Sequence, residues 1–166
     1  MKVSIIAAVT ADGFIAKASD HMADWTSPED KKRFVALTRE AGVMIMGSST
    51  FDTIGRPLPG RKTVVYTTNP SKYAGVDILT TKDDPKVLLE KLEAEGYSQV
   101  AICGGAHIYD LFIQSGFVTD IYLTVEPVLF GQGLTLFTNP TEYKLELVAH
   151  EKLNDNTVAT HYRVLA

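Results

Sequence analysis

The chain predicts an α/β fold: a mostly parallel sheet with helices on both faces and an antiparallel hairpin at the C-terminal end. Three observations carry this expectation. Short, dense apolar runs such as Val3 to Val9 and Val43 to Met46 suit strands covered on both sides. Segments of helical periodicity lie between those runs, so strand and helix alternate along most of the chain. Two long runs, Tyr143 to Leu153 and Thr157 to Leu165, come last and flank the turn formers Asn154-Asp155-Asn156, as a hairpin requires.

In order, Val3 to Val9 predicts the first strand and Ala11-Asp12-Gly13 turns it. A polar segment through Asp20-His21-Met22 then predicts a loop beside the site, leading to Trp25. Ser27-Pro28 is a helix start, a side-chain cap followed by the residue best tolerated at the first helical position. That helix runs to Ala41 and stops at Gly42. Val43 to Met46 is a buried strand ending on Gly47, after which Ser48-Ser49-Thr50 are expected to cap a short helical turn, Phe51 to Ile54. The stretch Arg56-Pro57-Leu58-Pro59-Gly60-Arg61 predicts a stiff loop, Thr63 to Thr67 a strand, and Val76 to Leu79 a shorter one.

Asp84-Pro85 opens a helix carrying Leu88, Leu89 and Leu92 and closing at Gly96. Gln99 to Cys103 is a strand running into Gly104-Gly105, followed by a helix from Ala106 to Ser115 stopped by Gly116. Asp120 to Val125 is the next strand, and a glycine-rich loop, Phe130 to Gly133, precedes the hairpin.

The bounds fit a soluble globular protein. A chain of 166 residues is most simply one domain, 1–166, and its composition, 45% apolar and 22% charged, is ordinary for that class. A net charge of -4, with no basic stripe, argues against nucleic acid as a partner. No apolar run is long enough to span a membrane. Cys103 is the single cysteine, so no internal disulfide forms and a cytoplasmic location is expected. The four histidines have no metal-ligand spacing, and no metal site is expected. A small-molecule ligand, with the protein a monomer or homodimer, remains.

Two features carry ligand chemistry. Asp30 falls where an acid completes a capping box, yet Phe34, Leu37 and Ala41 share its helix face, which should be the buried one. A carboxylate at the edge of a core has a raised pKa and is a proton-transfer candidate, with Trp25 able to wall the same site. The second feature is a pair of strand–glycine–helix junctions, at Gly47 and at Gly104-Gly105. Glycines let a phosphate approach the backbone, and helix amino ends offer free N–H groups. No Gly-x-Gly-x-x-Gly is present, and Lys31 and Lys32 read as a solvated helix face.

In these residues the chain resembles the dihydrofolate reductase family, within the wider superfamily that includes the riboflavin-pathway pyrimidine reductases. The likeness covers nearly the whole length and implies a three-layer fold with an eight-stranded sheet and four helices. It implies that Trp25, Asp30 and Thr124 form the catalytic group, Asp30 binding the pterin's amino group and ring N–H. It implies substrate contacts from Ala7, Phe34, Ile54, Leu58 and Arg61, with Arg61 holding the glutamate tail. The implied cofactor is NADPH. Its contacts would come from Ala8 and Ile15, from Gly47, Ser48, Ser49 and Thr50, from Tyr66, Thr67 and Thr68, and from Cys103, Gly104, Gly105, Ala106, His107, Ile108 and Tyr109. The Gly104–Gly105 bond would be cis.

Two stretches, Asp24 to Asp30 and Pro127 to Phe137, resemble the pyrimidine reductases more, and Ser48 and Ser49 stand where the family often has a basic residue. The expected activity is NADPH-dependent reduction of 7,8-dihydrofolate. The alternatives are reduction of a phosphoribosylamino-pyrimidine and a non-catalytic dinucleotide-binding module.

Overall fold

The computed structural model describes residues 1–166. Its strands are β1 (Lys2–Thr10), β2 (Phe14–Ala16), β3 (Val43–Gly47), β4 (Lys62–Tyr66), β5 (Leu79–Thr81), β6 (Gln99–Ile102), β7 (Asp120–Glu126), β8 (Leu134–Thr135), β9 (Leu145–Lys152) and β10 (Val158–Val164). Its helices are α1 (Pro28–Ala41), α2 (Ser48–Ile54), α3 (Pro85–Ala94) and α4 (Ala106–Gln114). Eight strands form one sheet in the order β5-β4-β3-β6-β1-β7-β10-β9, while β2 and β8 pair separately. The sheet is parallel from β5 through β7, and β10 and β9 continue it antiparallel as the C-terminal hairpin.

Alternation along each strand divides the core into two layers. Val3, Ile5 and Ala7 of β1 face α3 and α4, where Leu88, Leu92, Phe112 and Ile113 complete the larger cluster. Ile6, Met44, Met46 and Ala101 face the other way, onto Ala41 of α1 and Phe51 of α2, with Phe34 and Leu37 packed against them.

Helix α1 begins and ends where its sequence predicts. The Ser27 hydroxyl accepts from the Asp30 N–H, Pro28 takes the first turn, and Gly42 closes the helix with φ 75°. Three expectations are corrected. Ser48, Ser49 and Thr50 lie inside α2, and Gly47 holds the cap position without a side-chain bond. The strand expected at Val76 to Leu79 is β5, Leu79–Thr81; Pro70–Tyr73 forms a 3-10 turn, and Ile78 packs into the smaller core cluster. The loop before Trp25 contains β2, which pairs with β8.

Candidate active site

The carboxyl ends of β1, β3, β4 and β6 open into a cleft of about 1060 Å³, the edge where open α/β sheets bind ligands. At one end Asp30 projects from the first turn of α1, with Trp25, Thr26, Phe34 and Ile54 also lining the wall. Asp30 is half-buried. Burial raises its pKa above the ordinary carboxylate value and the nearby Glu126 charge adds to the rise, while hydrogen bonds from Thr124 and Thr26 and the charge of Arg33 oppose it. The acid therefore retains its proton to a higher pH than an exposed aspartate.

At the other end the glycine junctions of β3 and β6 meet. Gly47 N–H donates to Gly104 O at 2.8 Å, and the Gly104–Gly105 peptide is cis. Neither α2 nor α4 has a side-chain cap, so their first N–H groups remain available to a ligand. A Cβ built on Gly105 would meet only Thr50 Oγ1, at 3.4 Å, so the space over this junction is open on the cleft side. Ser48, Ser49, Thr50, Thr67 and Thr68 supply hydroxyls around it, with Tyr66 beside them. Ala106, His107 and Ile108 line the wall from α4. This donor set, with bare backbone and no acid among the junction residues, fits a phosphate-bearing dinucleotide.

Between the two ends lie Ala7, Ala8 and Ile15, with Cys103 and Tyr109 forming the floor. The Tyr109 hydroxyl donates to Ile6 O at 2.8 Å, and burial lifts its pKa well above the ordinary value. Burial also pushes the Cys103 thiol up to about 12, which makes it a packing group and not a nucleophile.

A sequence model of the family described as dihydrofolate reductase matches residues 2–166. The chain belongs to the dihydrofolate reductase family. It is 38% identical to dihydrofolate reductase type 3 of Salmonella typhimurium over 110 residues, 66% of this chain and 63% of that protein. Among solved structures it is similar to dihydrofolate reductase from Enterococcus faecalis, complexed with NADP(H) and RAB-propyl. That likeness has a TM-score of 0.76 and 26% identity over 99% of this chain and 97% of the other. It is also similar to a protein described as a riboflavin biosynthesis protein, from Shewanella sp. PV-4. Here the TM-score is 0.83, at 21% identity over all of both chains, a likeness of fold.

Three of the sequence candidates do not line the cleft of this dihydrofolate reductase family member. Thr124 lies behind Asp30, buried on β7, and acts on the cleft only through that carboxylate. Leu58 packs against the smaller core cluster. Arg61 turns to α1, donating to Thr38 Oγ1 and to Pro59 O. Conversely, Lys31, exposed as its reading as a solvated face expects, also lines the substrate end, and Thr26, Thr53 and Lys82 were not anticipated. Tyr66 pairs with Thr81, so Lys82 extends β5 beside Thr67.

Proposed function

We propose that the protein is an NADPH-dependent dihydrofolate reductase, converting 7,8-dihydrofolate to tetrahydrofolate. The observation that carries this reading is Asp30: one half-buried carboxylate with a raised pKa, at the apolar end of the cleft that the glycine junctions close. A pterin is a flat ring with an amino group and an adjacent ring N–H, which one carboxylate binds as a pair. The Enterococcus faecalis neighbour, complexed with NADP(H), supports a nicotinamide dinucleotide in the other half. When bound, NADPH supplies a hydride from nicotinamide C4 to pterin C6.

The chain's own residues orient the rings and manage the proton. Ala7, Ala8 and Ile15 form a smooth apolar wall, so the two rings stack with little water between them. Asp30 holds the pterin through its amino group and ring N–H, and its charge favours protonation at N5, with water delivering the proton. Thr124 and Thr26 fix the carboxylate's direction. The bare backbone at Gly105, where a Cβ would meet only Thr50 Oγ1, leaves room for the cofactor in the cleft that Ala7 also lines.

One observation favours a second reading. Arg61 stands outside the cleft while Lys31 lines its substrate end, and a phosphoribosylamino-pyrimidine would place a phosphate near such a cation. Steady-state NADPH oxidation with each substrate separates the two. Turnover of dihydrofolate supports the first reading, turnover of the pyrimidine alone replaces it, and cofactor binding without turnover of either leaves a binding module.

A further inference from the structure

Glu126 closes β7 with a side chain 2% exposed, and the reading of the cleft does not use it. Its Oε1 accepts from both the backbone N–H and the hydroxyl of Ser27, each at 2.8 Å. Its Oε2 accepts from Thr157 Oγ1 at 2.9 Å. The Ser27 hydroxyl is thus used twice, because it also accepts from the Asp30 N–H at 3.2 Å. A hydrogen-bonded chain therefore runs from the end of β7, through the helix cap, to the backbone of the site's acid.

The same strand also reaches Asp30 from its other end. Thr124 precedes Glu126 by two residues, so both side chains stand on one face of β7, roughly 7 Å apart along the strand. Thr124 bonds the Asp30 carboxylate while Glu126 holds the Asp30 amide through Ser27. The first turn of α1 is fastened at two points, and the second fixes the direction the first leaves free.

The chemistry of the fastening is costly for a merely structural cap. A buried carboxylate is expensive unless its oxygens are fully bonded, and no cation pairs with Glu126 among the ion pairs of the structure. A neutral amide would accept the same Ser27 bonds. The carboxylate in addition brings a second negative charge toward Asp30. The charged and titratable groups that face Asp30 are Arg33 on α1, Tyr109 on α4 and Glu126 on β7, with the hydroxyls of Thr26 and Thr124 between them.

We propose that Glu126 is a positioning residue for Asp30: acting through Ser27, it fixes the first turn of α1 on β7 and so aims the Asp30 carboxylate into the cleft. The inference rests on the reading of Asp30 as the acid of the site. Its test therefore includes a measurement that needs no substrate.

The variants are Glu126→Gln, which keeps an acceptor for Ser27 but no charge, and Ser27→Ala, which keeps the charge and the backbone N–H bond but removes the hydroxyl that links Glu126 to the Asp30 N–H. The Asp30 carboxyl carbon is titrated by 13C NMR in each, its signal assigned by its loss in Asp30→Asn. Single-turnover hydride transfer from NADPH to dihydrofolate is then followed from about pH 5 to 9. Glu126→Gln should lower the Asp30 pKa and move the pH–rate profile the same way, because a repelling charge is gone. Ser27→Ala should slow hydride transfer by about tenfold at the pH optimum, with dihydrofolate binding changed less, because the carboxylate is misaimed rather than lost. Thermal melts report any loss of folding separately. If Glu126→Gln leaves the Asp30 titration where it was and Ser27→Ala transfers hydride at the parent's rate, Glu126 is only a helix anchor and the proposal is overturned. If the parent does not reduce dihydrofolate, the proposed function fails, while the Asp30 titration in Ser27→Ala still decides the role of Glu126: a carboxylate turned away from Thr124 and Thr26 titrates higher than in the parent, and an unmoved titration overturns the positioning role.

Discussion

The guanidinium of Arg61 donates to the hydroxyl of Thr38, a buried residue on α1, and that hydroxyl in turn donates to Phe34 O at 2.7 Å. Arg61 is thus linked through the helix to a residue that lines the substrate end of the cleft, without lining the cleft itself. Two of its five N–H groups are used, by Pro59 O and Thr38, so the others remain to donate to a substrate carboxylate, a charged bond stronger than a neutral one. Arg61→Ala should therefore weaken dihydrofolate binding by about 1.5–3 kcal/mol, the range for a charged hydrogen bond. Fluorescence titration checks this. Unchanged affinity would assign Arg61 to α1 alone and shift weight to the pyrimidine reading.

Gly105 has φ -79°, a value any residue adopts, and an added Cβ makes only an ordinary contact with Thr50 Oγ1. Gly105→Ala should fold, with its melting temperature within a few degrees of the parent, yet bind NADPH at least tenfold more weakly because its methyl occupies the space a ligand needs. Calorimetric titration measures the affinity, and normal binding would remove this junction as the cofactor cradle.

Cofactor preference should be modest. Ser48, Ser49, Thr67 and Thr68 offer hydroxyls to a 2′-phosphate, and Lys82 is an exposed cation beside Thr67. An exposed ion pair contributes up to about 1 kcal/mol. Lys82→Ala should cut kcat/KM for NADPH by up to about fivefold and leave NADH unchanged. Steady-state kinetics with both cofactors tests it, and a parent that prefers NADH would contradict the reading.

Asp30 sets two pH dependences, one of rate and one of stability. Because its pKa is raised by burial, the chemical step should be fastest at low pH and decline as pH rises through the apparent pKa of the Asp30–substrate unit. Asp30→Asn should transfer hydride far more slowly at neutral pH and recover in acid, as solvent protonates the substrate directly. Stability moves the same way. A folded-state pKa above the unfolded one favours folding of the protonated form, and that contribution is lost as pH rises through the folded value. Asp30→Asn should therefore melt higher than the parent at pH 7, with the difference vanishing below about pH 4, where both are neutral. Equal melting temperatures at pH 7 would show that burial of this acid has no energetic consequence.

Residues whose reasons are local were readable from the chain. Ser27-Pro28 and Gly42 bound α1 correctly because caps act within one turn. The dense apolar runs of β1 and β3 read as strands covered on both sides because each of their residues, whichever face it takes, meets one of two core clusters. The errors lie where the reason is distant. Val76 to Leu79 is apolar, but the sheet's outer position needs only a partner for β4, which Leu79–Thr81 supplies in register with Val64, Val65 and Tyr66. Lys31 is exposed as read, but its place in the cleft lining depends on the preceding loop, whose Ala23 and Trp25 line the same cleft. Glu126 was invisible because its partner Ser27 lies 99 residues away, and no period or motif links an acid at a strand end to a helix cap.

The small β2–β8 ribbon makes two distant loops a single mechanical part. Phe14 and Ala16 pair with Thr135 and Leu134, Asp12 accepts from the N–H groups of Phe130 and Gly131, and Trp25 meets Phe130 edge to face at 5.2 Å. Gly133 sits so close to Ala16 O that a Cβ there would stand 2.3 Å from it. An insertion or deletion in one loop therefore breaks pairings owned by the other. A change in the length of either segment therefore reshapes the wall of the cleft from both sides, although its halves are more than a hundred positions apart in the chain.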